Sequence, residues 1–526
     1  MILGDSSTAN AQGAGSTTLD SLFRQAAARR PDAIALADSP NRLYFTDGAP
    51  RRLRYADADH IVSAIAARLR GLGLAEDSVV GIQLANTVES LLTTLGVLRA
   101  GMIAAPLPLL WRRAELTAAL GRVGARAIVT TARIGEFRPC EIAMQVAAEL
   151  FTIRHVCAFG ENLADGVVPL DGLMAADDAA PPLAEDRSHS VESQSFESIE
   201  RAGDRVAFVT FDVTPQGHVA VARSHTQMIA GGLAPLLEGR LPQDAVLLGG
   251  CAINSFAGLA LTMMPWLLTG GTLALHQPFD GLAFSVQCNY EGCDTVVVPG
   301  PLVPRLAAAN LLSHRELKNV LAVWRAPERL HLSPPWRHET ARLTDMLVFG
   351  EIALLGSRRE PDGQIGPWTA GEVMAPRGAP QAVRLAEIAR SPAGTLMLRG
   401  PMVPRQPFPP GAESLDAPWL RADADGFVDT GYACRIDRTT QRLAVTAPPP
   451  GIVSIGGYRF VLRELEGQVR DADGGAAVTA LPDAMAGHRL AGVSADGDAV
   501  ATALAAQGAN PLLVDAFRDR RRPRAA

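Results

Sequence analysis

The chain has 526 residues, of which 48% are hydrophobic and 20% are charged, and its formal net charge is −6. This length predicts about three domain-sized units, and the composition is that of an ordinary globular protein. The negative charge excludes a general attraction to nucleic acid or to anionic membranes. Six scattered cysteines without a C-x-x-C pair are typical of reduced thiols, which predicts a cytoplasmic protein without a disulfide framework.

Neither end of the chain resembles a sorting signal. Residues 1–16 are small and polar, without a basic start or an apolar core, and are predicted to be flexible. Residues 518–526 form a basic tail, and the absence of interleaved aromatic residues favours a solvated terminus over nucleic-acid binding. The longest apolar stretch, residues 256–268, is too short to span a bilayer and contains Pro265, so it predicts a buried helix.

Strands and helices alternate along the first 130 residues. Apolar residues at helical spacing predict a helix that ends near Gly71, a second over residues 88–98, and a third around Leu116. Short apolar runs predict strands at residues 78–84, 103–106 and 127–130. Elements of this length in alternation predict a parallel, doubly wound sheet.

The pattern changes twice in the rest of the chain. Residues 161–203 have weak periodicity and are rich in Ala, Asp, Glu, Ser and Pro, which predicts a long surface connection. Alternation then resumes with strands predicted at residues 206–211, 246–248, 272–275, 295–298 and 320–324. After Gly394, short strands and turns predict a β-rich subdomain, and three prolines at 448–450 precede a final α+β segment.

A series of short motifs occurs in the order and spacing of one known family. They are residues 53–55, 80–86, 98–101, 104–107, 113–116, 270–272, 394–403, 425–427, 430–431, 457–460, 464–466 and 482–483. Each is weak alone, but together they make nearly the whole chain resemble the adenylate-forming acyl-CoA synthetases, also called AMP-dependent synthetases and ligases. These segments are mostly scaffold, and a fold alone does not establish a function.

The resemblance implies an α/β fold in two parts. A large N-terminal domain, residues 17–447, has doubly wound mixed sheets and a β-rich subdomain. A small, shortened α+β C-terminal domain covers residues 452–517, and residues 448–451 are the hinge between them. Family members use ATP and Mg²⁺ to convert a carboxylate to an acyl-adenylate, from which coenzyme A displaces AMP.

The family's triphosphate loop ends in Pro-Lys-Gly, and its lysine and backbone N–H groups hold the phosphates. The matching stretch here is residues 210–219, in which the lysine position is Val219. Lys318 is the only lysine of the chain, so the second lysine that the family places near its C-terminus is also missing. Arginine does not replace a lysine freely, because its planar head is larger and its pKa is not tunable.

Other residues of this loop also oppose phosphate binding. Phe211 is bulky where phosphate must approach closely, Asp212 is negative, and Pro215 lacks an N–H donor. Thr214 and Gly217 remain usable for a nucleotide, and an ordinary polar turn is the favoured interpretation.

A second family motif, aromatic-Gly-x-Thr-Glu, helps to hold Mg²⁺ and the nucleotide phosphate. It corresponds to Phe349, Gly350 and Glu351 in a compressed form. Glu351 is therefore the candidate catalytic residue and metal ligand, and a solvated turn residue is the simpler interpretation.

Two further motifs complete the implied nucleotide site. The element that lies along adenine corresponds to Trp324, Ala326 and Pro327, and the Trp324 indole either fills the adenine space or stacks on the base. The ribose-binding aspartate of Thr-Gly-Asp is replaced by Tyr432, and a phenol does not provide two ionised acceptors at pH 7.

The hinge and the acyl pocket also depart from the family. Prolines replace the hinge Arg, and Gly451 replaces its Asp, which predicts a stiffened linker. The His-x-x-Gly of the acyl pocket corresponds to Ser255, Phe256 and Gly258, with apolar residues around it that line a pocket or belong to the core.

Two functions remain open from the sequence. The first is a pseudo-ligase that has lost most ATP chemistry and binds an acyl or acyl-CoA ligand, with a place in fatty acid metabolism. The second is an active carboxylate–CoA ligase that uses Mg-ATP and CoA, in which Arg223 or Arg325 replaces a missing lysine, since guanidinium groups bind phosphate well. The pseudo-ligase is favoured, with no protein partner identified.

Overall fold

A computed structural model describes residues 17–174, 202–414 and 418–518. The predicted flexible N-terminus (1–16), most of the basic tail (519–526) and most of the predicted connection (175–201) lie outside the described residues. Before that gap, the connection contains the strand Val168–Pro169 and the 3₁₀ helix Asp171–Met174, which the weak periodicity did not indicate.

The first sheet has seven strands and is parallel except at one edge. In spatial order its strands are Val168–Pro169, His155–Phe159, Ala127–Thr131, Val79–Ile82, Ile103–Pro106, Val206–Thr214 and Gly217–Ser224. The last two pair antiparallel as a hairpin. The predicted strands at residues 78–84, 103–106 and 127–130 are confirmed to within two residues.

The second sheet has eight strands and supplies most of the carboxyl ends that matter for the site. In spatial order its strands are Ala353–Arg358, Arg342–Phe349, Asn319–Trp324, Thr295–Pro299, Val246–Gly249, Thr272–Leu275, Ile34–Ala37 and Arg52–Arg54. The strands pair parallel except at the two edges. Their interiors are rich in Val, Leu and Ala because parallel strands are buried on both faces.

Helices cover both sheets. The α-helices of this region are Leu19–Arg29, Tyr55–Gly71, Val88–Arg99, Arg113–Arg122, Pro139–Glu149, His225–Glu238, Phe256–Gly258, Met264–Thr269, Gly281–Glu291 and Val303–Ala308, and Leu259–Met263 is a π-helical segment. The helices Tyr55–Gly71 and Val88–Arg99 cross closely at Gly96, where a Cβ would lie 2.5 Å from Ile65 Cγ2. The predicted buried helix over residues 256–268 is confirmed, with this π-helical segment inside it.

The β-rich subdomain is a third sheet of six strands. In spatial order they are Trp368–Thr369, Arg442–Ala447, Val428–Ile436, Thr395–Arg399, Val383–Arg390 and Gly371–Ala375. The subdomain therefore begins well before Gly394. The sequence did not indicate this start, because the short edge strands near residue 370 alternate too weakly to be recognised.

The C-terminal domain is small and has its own core. Its four strands are Tyr458–Val461, Ile452–Ile455, Gly487–Val493 and Ala477–Asp483 in spatial order, packed against the helices Leu462–Ala472, Gly497–Ala506 and Pro511–Asp515. Val469 and Leu504 are fully buried between them. The α/β fold with a large N-terminal domain and a smaller C-terminal domain is confirmed. Among the described residues, no helix combines the length and apolar character that crossing a bilayer requires.

Candidate functional site

A cavity of about 660 Å³ lies between the two domains. Strands of the second sheet end at this cavity. Trp324 and Pro299 are the last residues of the strands Asn319–Trp324 and Thr295–Pro299, and His276 follows the strand Thr272–Leu275. The C-terminal domain contributes Tyr458 and Arg459 to the opposite wall. Ligands of open α/β sheets bind outside the carboxyl ends of the strands, so this cavity is the candidate site.

A larger open groove of about 1310 Å³ lies at the other end of the same strands. Arg342, which begins the strand Arg342–Phe349, lines it together with Arg337, Glu339 and Asp362. The groove mixes both signs of charge on exposed side chains, and such surfaces are well solvated without a ligand.

The loop that corresponds to the triphosphate loop is a tight hairpin turn. Thr214 pairs with Gly217 across the turn, and the Thr214 hydroxyl donates to the Gly217 carbonyl at 2.9 Å and accepts from the Gln216 N–H. The hydroxyl is thus used within the turn. Val219, at the lysine position, is only 3% exposed and belongs to the core.

Asp212 lies near the end of the strand Val206–Thr214, just before the hairpin turn, and is the centre of a buried polar cluster. Its carboxylate accepts hydrogen bonds from the backbone N–H groups of Val213 at 2.7 Å and Glu351 at 3.1 Å. The guanidinium of Arg459, from the C-terminal domain, donates to the same carboxylate at 2.5 Å. Asp212 therefore joins the hairpin, the second sheet and the C-terminal domain.

Gly350 allows this cluster to form. Its φ is +56°, and a Cβ at this position would lie 2.4 Å from Asp212 Oδ2 and 2.3 Å from Arg459 Nη1. A side chain would therefore collide with the ion pair and would also strain the backbone. Burial opposes the charge of Arg459, but the facing carboxylates, Asp212 first among them, outweigh this and raise its pKa.

Glu351 lies in a turn but is buried, so the prediction that it is solvated is wrong. Its side chain is 7% exposed, and its carboxylate accepts a hydrogen bond from the Phe256 N–H at 2.6 Å. Burial raises the pKa of Glu351, and the charge of Asp212 adds to the effect. Among the residues that the structure describes, no group of three His, Cys, Asp or Glu side chains is arranged to hold a metal ion.

Arg223 is a structural residue and does not reach the cavity. It is 1% exposed, donates hydrogen bonds to the carbonyls of Glu351 and Ile352, and lies over the Phe256 ring at 3.8 Å. Burial lowers the pKa of Arg223 to about 10. The proposal that Arg223 replaces a missing lysine is therefore not supported by its position, whereas Arg325 does line the cavity.

The residues of the adenine element lie at the cavity wall or just behind it. Trp324 is 4% exposed, and its indole N–H donates to Asp345 at 2.9 Å. The indole packs on Gly300, where a Cβ would lie 2.4 Å from the ring. Ala326 lines the cavity and Pro327 is buried next to it.

Tyr432 is buried behind the polar cluster. It is 1% exposed, meets the Phe349 ring edge to face at 5.5 Å, and lies 5.7 Å from the Arg459 guanidinium. Burial raises the pKa of Tyr432 to about 12. It packs in the core and is not among the residues that line the cavity.

Of the three predicted acyl-pocket residues, only Ser255 lines the cavity. Phe256 is completely buried, and Gly258 lies against the Ala252 backbone, where a Cβ would be 2.0 Å from the carbonyl oxygen. The Ser255 hydroxyl accepts a hydrogen bond from Arg325 Nη2 at 2.8 Å.

Sequence reasoning did not identify several cavity residues as parts of the site. Trp111 and Phe279 come from segments far apart in the chain, and Arg459 comes from the other domain. Asp212 was noticed as a charge that opposes phosphate, but nothing in the linear sequence indicated its pairing with Arg459 of the Gly-Tyr-Arg motif.

Comparison with known proteins identifies the family. The family model described as AMP-binding enzyme matches residues 23–351, which is more than half of the chain. The chain therefore belongs to the AMP-binding enzyme family.

Several relatives have names that state a function. A 2-hydroxy-7-methoxy-5-methyl-1-naphthoate–CoA ligase of Streptomyces carzinostaticus is 26% identical over 495 residues, covering 90% of this chain and 83% of the relative. A salicyl-AMP ligase / salicyl-S-ArCP synthetase of Mycobacterium tuberculosis is 32% identical over 150 residues, 27% of this chain and 25% of the relative.

Solved structures support the fold. Apo MbtA of Mycobacterium smegmatis matches with a TM-score of 0.63 and 20% identity, covering 96% of this chain and 91% of that chain. Amide bond synthetase McbA of Marinactinospora thermotolerans matches with a TM-score of 0.66 and 16% identity, covering 94% of both chains.

Arg459→Ala is expected to loosen the C-terminal domain. The substitution leaves the Asp212 carboxylate buried without its charge partner, which costs about 3 kcal/mol for buried pairs of this kind. Hydrogen exchange should accelerate in the strands Ile452–Ile455 and Tyr458–Val461. Arg463→Ala, at an exposed position of the same domain, is the control. Equal exchange in the two variants would show that the pair does not hold the domain.

Glu351→Gln is expected to raise the melting temperature at pH 8, with the gain vanishing towards pH 4. The folded-state pKa of Glu351 is raised, so its contribution to stability is present in acid and is lost as pH rises through that pKa. The exposed Glu360→Gln is the control. If instead Mg²⁺ raises the melting temperature of the wild type and Glu351→Gln abolishes that rise, Glu351 is a metal ligand.

Proposed function

We propose that this chain is an AMP-binding family member that binds a carboxylic acid, or its CoA thioester, and has lost most or all ATP-dependent adenylation. The observation that carries the proposal is the ion pair of Asp212 and Arg459. Asp212 lies on the segment that holds the triphosphate in the family, and its carboxylate accepts from the Val213 N–H of that segment and from the Glu351 N–H of the second family motif.

The residues present do not fit Mg·ATP. A phosphate nest needs free N–H groups and a cation, whereas this segment offers a carboxylate and a buried Val219. Tyr432 is buried in place of the ribose-binding acid and does not line the cavity. Loss of each such electrostatic contact costs a few kcal/mol of binding or transition-state stabilisation, and together they remove useful nucleotide affinity.

The acid-binding half of the proposal rests on the cavity. Its walls combine apolar and aromatic surface with a few polar groups, which is the usual composition of small-molecule sites. The names of the relatives refer to a naphthoate, to salicylate and, in a human relative 26% identical over 292 residues (54% of this chain and 41% of the relative), to long-chain fatty acid transport. Both aromatic and aliphatic acids are therefore within the range of the family.

An active carboxylate–CoA ligase is the second candidate. Arg325 and Arg329 both line the cavity, and guanidinium groups bind phosphate well. In that case Mg-ATP and CoA are the cofactors, and Arg459 must leave Asp212 to admit the triphosphate.

Calorimetry with Mg·ATP distinguishes the two candidates. We expect no binding at millimolar nucleotide, and pyrophosphate exchange at background over a panel of aromatic and aliphatic acids, because the loop lacks both its cation and its free donors. The naphthoate–CoA ligase of Streptomyces carzinostaticus, assayed with its own acid, is the positive control. Micromolar affinity together with acid-dependent exchange would establish the ligase instead.

A further inference from the structure

Arg325 is held inside the cavity in a fixed position. It follows the strand Asn319–Trp324, and its Nη2 donates to the Ser255 hydroxyl at 2.8 Å. Its stem packs on Gly457 of the C-terminal domain, whose φ is +91° and where a Cβ would lie 2.8 Å from Arg325 Cδ. The guanidinium is therefore oriented by both domains, which reduces the entropy lost when a ligand binds to it.

Among the described residues, no carboxylate forms an ion pair with Arg325, which donates instead to Ser255. The ion pair of the cavity lining joins Asp212 and Arg459. Arg325 is thus a cation of the cavity lining whose side chain donates to a neutral hydroxyl, that of Ser255. A buried or half-buried cation is stable when an anion pairs with it, so the polar end of the cavity suits a negatively charged ligand.

The other walls of the cavity are aromatic and apolar. The rings of Trp111 and Phe211 are 5.5 Å apart, and both are nearly buried. Trp324 forms a further flat surface. At the mouth, Phe279 and Leu332 are 41% and 61% exposed, so apolar surface continues outwards from the polar end. Flat aromatic walls favour an aromatic ring, because offset and edge-to-face ring contacts add to the hydrophobic gain.

We infer that the cavity binds an aromatic monocarboxylate, with its carboxylate on Arg325 and Ser255 and its ring against Trp111 and Phe211. The inference rests on the proposed function, since it names the ligand class of the same cavity. A phosphate ester fits less well, because its two negative charges would lie beside the Asp212 carboxylate. A volume of about 660 Å³ leaves room for a bicyclic ring.

The test is isothermal titration of the full chain with 2-naphthoate, 2-naphthamide and hexadecanoate, without nucleotide. We expect 2-naphthoate to bind and the neutral amide to bind at least ~10-fold more weakly, which is the usual worth of a charge-assisted hydrogen bond. Arg325→Gln should weaken 2-naphthoate by the same factor and leave the amide unchanged. Ser255→Ala removes the hydroxyl that holds Arg325 and should weaken 2-naphthoate binding by a smaller factor than Arg325→Gln does.

Arg337→Gln, at an exposed position that lines the other groove and not the cavity, is the matched control and should bind like the wild type. Each variant's melting temperature without ligand checks its folding. Equal affinity of acid and amide, or an unchanged affinity in both Arg325→Gln and Ser255→Ala, would overturn the anchor while acid binding stands. Tighter binding of hexadecanoate would overturn the aromatic class, and no binding of any acid would overturn the acid-binding half of the proposed function as well.

Discussion

The Asp212 carboxylate is held by three donors from three parts of the molecule, and the arrangement of the site depends on it. The Val213 N–H fixes the end of the hairpin strand, the Glu351 N–H fixes the loop after the strand Arg342–Phe349, and the Arg459 guanidinium fixes the C-terminal domain. Both ionic side chains are largely buried, with exposures of 12% for Arg459 and 5% for Asp212. Buried charges of this kind are stable only as a pair, so neither residue is free to change alone.

This constraint explains several local features together. Gly350 must lack a side chain because the pair lies against it. The C-terminal domain closes the cavity with Tyr458 and Arg459, and the segment that leads to it has prolines at 448–450, which fix φ at three successive positions. A carboxylate and a phosphate compete for the same hydrogen-bond donors. In this chain Asp212, which holds the domains together, already occupies those donors.

Much of the fold was predictable, because apolar runs and helical spacing depend on local sequence. The strands Val79–Ile82 and Ile103–Pro106 and the helix Val88–Arg99 are examples. The site was less predictable for a physical reason: its contacts join residues far apart in the chain. Tyr432 and Phe256 occupy family motif positions, yet neither lines the cavity, because bulky aromatic side chains at these positions pack into the core.

Glu351 illustrates the same limit at one residue. A glutamate after glycine is usually solvated, but here the backbone N–H of Phe256 donates a hydrogen bond to its carboxylate in the protein interior. Such a partner is not visible in a linear sequence. The absence of lysine at Val219, in contrast, was readable at once, since no fold can supply a side chain that the sequence lacks.

The most direct test of the account is a crystal structure of the full chain grown in millimolar Mg·ATP. The account predicts that the Asp212 carboxylate stays paired with the Arg459 guanidinium and that no nucleotide density lies between the hairpin and the C-terminal domain. Ordered triphosphate density on residues 212–217, with Arg459 moved away from Asp212, would contradict it.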